Sequence, residues 1–218
     1  MNNALFISLL AAELEQDIWG LILKGGWLMV PIFLLSLVAA YVACERFWAI
    51  RESCPDERAF EKDVRALLLA GNAGEAARRC ATRNSVTARV LLKGISRLNA
   101  SPDEARRAME ERANIEIGRL ERGMSILATC AGTAPMIGFL GTVVGMIQAF
   151  YDMAVAGNNI DIGLLSRGIY TALITTVAGL IVGVIGNFAY NYLVAMIDKR
   201  ARRLEALIEE FADLPVFS

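Results

Sequence analysis

Residues 123–151 read GMSILATCAGTAPMIGFLGTVVGMIQAFY, 29 positions without a single charged side chain. A bilayer core about 30 Å thick is crossed by about 20 apolar residues of helix, so this stretch is long enough to span it. Two more charge-free runs flank it in the chain, 20 residues from Gly25 to Cys44 and 30 residues from Gly168 to Ile197. Together they account for a mean hydropathy of +0.45 in a chain that still carries 21 % charged residues. The charge is segregated rather than absent. Strand signals do not occur, so the expected fold class is an all-α integral membrane protein with three transmembrane helices.

Basic residues set the expected orientation. The segment from Arg46 to Arg122 holds 16 of the 22 Lys and Arg, and the tail after Ile197 opens with Lys199, Arg200, Arg202 and Arg203. The stretch between the second and third runs carries one Arg and two Asp. The positive-inside rule places the middle segment and the tail in the cytoplasm, N-terminus out and C-terminus in. The expected organisation is a periplasmic interfacial amphipathic helix over 1–23, transmembrane helix 1 over 24–47 and a cytoplasmic helical domain over 48–122. Transmembrane helix 2 covers 123–151, a periplasmic loop 152–166, transmembrane helix 3 167–197, and a cytoplasmic C-terminal helix 198–218. Trp19 and Trp27 are expected at headgroup level.

Within the middle segment, Pro55 with Asp56 and Glu57 reads as a helix start and Gly71-Asn72 as its stop. Two further helices are expected over 73–82 and about 85–98. Ser101-Pro102-Asp103-Glu104 reads as a capping box with Pro at the first helical position. No strong stop follows, so one helix is expected from Pro102 to about Tyr151, with a kink at Pro135. In the tail, Leu204, Leu207, Ile208 and Phe211 repeat on one helical face and Pro215 ends the pattern.

Several function classes are excluded. The chain has no His, which removes His-based triads, metal sites and general bases. Cys44, Cys54, Cys80 and Cys130 include no C-x-x-C pair, so neither a zinc site nor a redox pair is supported. No phosphate-cradling glycine motif occurs, and no cofactor is expected. The middle segment sets 12 acids against its 16 bases, which argues against nucleic acid. The chain reads as a non-enzyme.

The second and third runs differ in character from the first. Gly138, Gly141, Gly145 and Ala149 share a helical face, as do Thr171, Thr175, Gly179 and Gly183. Small and hydroxyl residues at this spacing pack helices closely in lipid; they equally line a polar cavity, and the spacing alone leaves both open. No Asp, Glu, Lys or Arg lies inside any run. A membrane acid is the usual proton carrier, so proton conduction here calls for a carboxylate from another chain.

Residues 134–150, APMIGFLGTVVGMIQAF, resemble the second-span signature of the ExbB/TolQ proton-channel proteins, which are more distantly related to MotA. Residues 168–180, GIYTALITTVAGL, followed by Tyr190-Asn191, resemble the third-span signature. The resemblance implies a homopentamer whose second and third spans surround a pore. It also implies an ExbD/TolR-like single-span partner in that pore, carrying one essential Asp. Such an assembly sits in the bacterial inner membrane and drives TonB- or TolA-like proteins. The resemblance places Thr142 and Thr176 at pore-facing positions, with Thr171 and Thr175 on the same path. Thr171 stands where many family members have Glu, and Gly186 where they have Pro. The alternatives are a MotA-like stator subunit, a family with four spans, and a non-conducting membrane scaffold.

Overall fold

The computed structural model describes residues 26–53, 57–98, 101–156 and 162–214. The expected interfacial helix over 1–23, Cys54 to Asp56, the centre of the expected periplasmic loop and Pro215 lie outside the described residues. Among the described residues seven helices follow in order: α1 Met29–Ser53, α2 Arg58–Leu69, α3 Ala73–Thr82, α4 Val86–Ile95, α5 Pro102–Leu120, α6 Met124–Ala156 and α7 Ile162–Ala212. Among the described residues there is no strand, so the fold is all-helical. Among the described residues three stretches are long and apolar enough to cross a membrane, within Met29–Glu52, Pro102–Val155 and Gly168–Ala212.

The chain divides into two compact units. One takes the chain up to Tyr41 together with Ile126–Ala189; the other takes Val42–Ser125 and Tyr190–Ser218. In the first, the apolar side chains that would fill a soluble core point outward: Phe33, Leu34, Phe139, Ile147, Ile185 and Phe188 are all more than half exposed. An apolar surface of this extent belongs against lipid or another chain.

The second unit has a conventional core. Phe60, Val64 and Leu68 of α2 lie four residues apart and are buried against Ala76 and Cys80 of α3, Val90 and Leu91 of α4, and Met109 of α5. The tail stripe Leu204, Leu207, Ile208 and Phe211 of α7 closes the same core. Helix ends follow their sequence signals. Gly71 adopts φ +77, and the Gly71 and Asn72 amides donate to the carbonyls of Leu68 (3.0 Å) and Leu67 (2.9 Å), the paired closure that needs a left-handed residue. Ser101 caps α5 by accepting from the Glu104 amide at 3.3 Å, with Pro102 in the first turn.

Two expectations need correction. The single helix from Pro102 to Tyr151 is broken: α5 ends at Leu120 and α6 begins at Met124. Gly123 between them sits at φ +83, a conformation that a side chain would disfavour by about 1 kcal/mol or more, so this glycine is the stop signal. The helix start expected at Pro55 moves to Arg58. Glu57 does not serve as a first-turn acid. Its buried carboxylate accepts from Ser85 Oγ at 2.7 Å and pairs with Arg83, while Ser85 Oγ caps α4 by accepting from the Ala88 amide.

Glu116, on α5, is buried among three guanidiniums. Arg89 donates to it at 2.8 Å, Arg119 at 3.2 Å, and Arg112 pairs with it. Burial by itself would raise the carboxyl pKa; the Arg89 hydrogen bond and the charges of Arg89, Arg112 and Arg119 outweigh it and hold the group below the ordinary glutamate value. A carboxyl whose folded pKa is depressed contributes its stability above the unfolded pKa of about 4.3, and loses it as pH falls through the folded value. Glu116→Gln is therefore expected to destabilise the chain by about 3 kcal/mol at neutral pH. The gap to the parent narrows below about pH 4. Thermal unfolding of the solubilised chain across pH 3–7 measures this; parallel curves would refute it.

Cys80 is 1 % exposed. Burial first, and then the Glu57 charge, push its thiol up to about 11, so little thiolate exists near neutral pH. A maleimide is expected to leave Cys80 unmodified in the folded chain and to label it after denaturation. Labelling of native Cys80 within minutes at pH 7.5 would contradict this burial.

Candidate functional site

α6 and α7 run antiparallel and touch along a line of residues with almost no side chain. The register is read from what a methyl group added to each glycine would meet. At Gly186 it would lie 3.0 Å from Ala131 Cβ, and at Gly183 it would overlap the Pro135 ring. At Gly179 it would lie 2.6 Å from the Ala134 carbonyl oxygen and 3.0 Å from Gly138 Cα; at Gly138, 2.8 Å from the Thr175 carbonyl oxygen. At Gly141 the added methyl would overlap the Thr175 hydroxyl, at Gly145 it would lie 2.8 Å from Ala172 Cβ, and at Gly168 2.6 Å from Ala149 Cβ. Real Cβ atoms essentially never come closer than 3.0 Å, so at Gly138, Gly145, Gly168, Gly179 and Gly183 glycine is required by contact rather than by backbone angle. Backbone-to-backbone proximity of this kind is how helices associate where lipid removes the hydrophobic drive.

The five glycines expected to pack helices, Gly138, Gly141, Gly145, Gly179 and Gly183, all lie in this contact. Pro135 lies inside α6 and fits against Gly183; its ring removes the amide that would otherwise bond the Ala131 carbonyl. Four alanines, Ala131, Ala134, Ala149 and Ala172, complete the contact and are buried. The signal for them is a small residue at every fourth position: Ala134 and Gly138, Gly141, Gly145 and Ala149, and on α7 Gly168 and Ala172. Gly132 is equally small, yet a Cβ added there would meet no described atom outside its own turn of helix within 4 Å.

The hydroxyls divide into two groups. Thr175 is 2 % exposed. Its Oγ1 donates to the Ala172 carbonyl at 2.7 Å and lies 3.4 Å from the Gly138 carbonyl of α6. Thr176 is half-buried and its Oγ1 donates to the same Gly138 carbonyl at 2.9 Å, across the two helices. Thr142 is half-buried and its Oγ1 donates within α6 to the Phe139 carbonyl at 2.6 Å. Thr171 is half-buried, one helical turn from Thr175. The structure thus brings Thr175 and Thr176 together on Gly138, and sets Thr142 one turn along α6 from that carbonyl.

Chemically, the pair offers hydroxyl oxygens in an apolar setting, with their protons already given to backbone carbonyls. Each oxygen retains lone pairs that accept from a water or a protonated acid. No Asp, Glu, Lys or Arg lies in α6 from Met124 to Tyr151 or in α7 from Gly168 to Ile197. Among the described residues, no cluster of acids and cysteines could hold a metal ion.

The profile of the MotA/TolQ/ExbB proton channel family matches residues 82–206, a stretch that contains all of α6 and the part of α7 that packs on it. An ExbB-like biopolymer transport protein of Synechocystis sp. is 35 % identical over 181 residues, which cover 80 % of this chain and 69 % of that one. An ExbB homologue of Methanothermobacter thermautotrophicus is 31 % identical over 137 residues, 63 % of this chain and 48 % of its own. The Tol-Pal system protein TolQ of Haemophilus influenzae is 36 % identical over 109 residues, 50 % of this chain and 47 % of that one.

Proposed function

This chain belongs to the MotA/TolQ/ExbB proton channel family, and from that premise we propose that it is the pore-forming subunit of a motor driven by the proton-motive force. It sits in the bacterial inner membrane with its N-terminus outside, its basic middle segment and C-terminal tail in the cytoplasm, and its three apolar helices across the bilayer. It assembles as a homopentamer around an ExbD/TolR-like single-span partner, and the assembly energises TonB- or TolA-dependent processes at the outer membrane.

The observation that carries this reading is the pairing of hydroxyls with a complete lack of membrane acids. Thr142, Thr171 and Thr176 are half-buried in stretches of α6 and α7 that hold no Asp, Glu, Lys or Arg, so the titrating carboxylate comes from the partner. One proton crossing 100 mV releases about 2.3 kcal/mol. Interhelical hydrogen bonds in membranes are worth about 0.6 kcal/mol each, and about 2 at most. A single proton therefore suffices to exchange one or two of them, such as the Thr176 bond to Gly138.

The test is purification from native membranes, then proton flux in liposomes. A small single-span protein with an Asp in its span is expected to co-purify. The complex conducts protons, the chain alone does not, and Asp→Asn in the partner stops the flux. Full conduction by the chain alone would overturn the reading.

A further inference from the structure

The second unit carries two grooves of opposite charge on opposite sides of α5. One, about 430 Å³ between α4 and α5, is lined by Arg89, Lys93 and Arg112, with a single acid, Glu111, and an apolar floor of Leu92 and Ile115. The other, about 360 Å³ between α5 and α7, is lined by Glu110, Glu205 and Glu209, with a single base, Arg106, over Ile117 and Ile208. At about 100° per residue, Glu111, Arg112 and Ile115 point away from Arg106, Glu110 and Ile117, so one chain cannot bring its two grooves together.

Each groove keeps a net charge after its internal pairing. Three guanidiniums, of Arg89, Arg112 and Arg119, share the one Glu116 carboxylate, which leaves the basic side with a surplus. Lys93 makes no ion pair among the described residues, and neither does Glu205. Arg106 is shared between Glu110 at 3.0 Å and Glu209 at 3.9 Å, which leaves the acidic side with the opposite surplus.

We propose that the α4/α5 groove of one copy docks on the α5/α7 groove of the next copy, head to tail, with Lys93 set against Glu205 and Arg112 against Glu209. The contact deepens the homo-oligomeric reading given above and rests on it. A two-fold contact would press each groove on its own like and set equal charges together, which is unfavourable. An unlike partner could fill one groove and would leave the other unanswered. A second copy answers both, and a head-to-tail contact between unlike faces gives a ring where the rotation between copies closes.

The test uses the full chain in native membranes, with Cys44→Ser and Cys54→Ser to remove background thiols; Cys80 and Cys130 are buried. A chain carrying both Lys93→Cys and Glu205→Cys is expected, on oxidation, to give a ladder of products beyond the dimer. Either cysteine alone gives none beyond the dimer. Lys93→Glu and Glu205→Lys should each lower the yield of intact oligomer about tenfold, and the two combined should restore it to within about twofold. Raising salt to 1 M should weaken the parent contact. Dimers only, a cross-link to a different protein, or a double charge swap no better than the singles would overturn the contact while an oligomer of normal mass leaves the assembly standing. A parent chain that runs as a monomer would remove the assembly and the contact together.

Discussion

Gly179→Leu is expected to abolish the α6–α7 pair, whereas Gly132→Leu leaves it intact. The atoms that a Gly179 side chain would meet are the Ala134 carbonyl oxygen at 2.6 Å and the Gly138 backbone at 3.0 Å. Neither is the end of a flexible side chain, so relief requires the helices to separate. Even Gly179→Ala should destabilise by about 3 kcal/mol, the upper end of overpacking costs. That corresponds to a fall in Tm of about 10 °C for a chain of this size. Gly141→Ala differs in kind, because what it meets is the Thr175 side chain, overlapping Oγ1 and lying 2.7 Å from Cβ. Adding Thr175→Gly should therefore recover most of the loss at Gly141 and none at Gly179. Thermal unfolding of the purified chain in detergent reads each of these variants. Equal stability of Gly179→Ala and Gly132→Ala would dismiss the close contact.

The spans were legible in the sequence because lipid solubility is a matter of run length and charge, which are local and countable. The glycine faces were legible for a related reason, since a repeat of small residues on one side of a helix is itself a pattern. What a pattern could not supply is the partner of each face. Gly132 has the same composition as Gly138, but one is open and the other is against Thr175. The break at Gly123 was missed because a lone glycine beside an apolar run reads as the run's first residue, and its φ of +83 becomes visible only in three dimensions. Glu57 was missed for a different reason. Its acid looks like a first-turn helix residue until Ser85 and Arg83, more than 20 positions away, arrive beside it. The core of the second unit lay between these extremes: the tail stripe from Leu204 to Phe211 announced a buried face, but not that it closes on α2 to α5.

Thr176→Val and Thr142→Val are expected to lower motor output while the complex still assembles, and the geometry fixes the sign of the underlying shift. From sequence, a free threonine hydroxyl would be expected to donate to a partner carboxylate, so that its loss raises the partner's pKa. In the structure both hydroxyl protons are already engaged, Thr176 with the Gly138 carbonyl at 2.9 Å and Thr142 with the Phe139 carbonyl at 2.6 Å. What remains for an incoming acid is an acceptor, which favours the protonated form. Replacing either hydroxyl with a methyl group removes that acceptor, so the partner's pKa should fall and protonation from the outer side should become harder. One hydrogen bond of about 1 kcal/mol corresponds to roughly a fivefold change in proton occupancy. The two variants differ in stability, because Thr176→Val also deletes a bond between helices and Thr142→Val deletes only one within α6. Thr142→Ser should keep part of the function, and Thr171→Val should matter least. Growth that depends on the energised process, measured at two external pH values beside a pull-down of the partner, reads these effects. A variant defect that is relieved at lower external pH supports the acceptor role. A defect relieved at higher pH would reverse the sign, and normal output from both valine variants would reduce these threonines to packing residues.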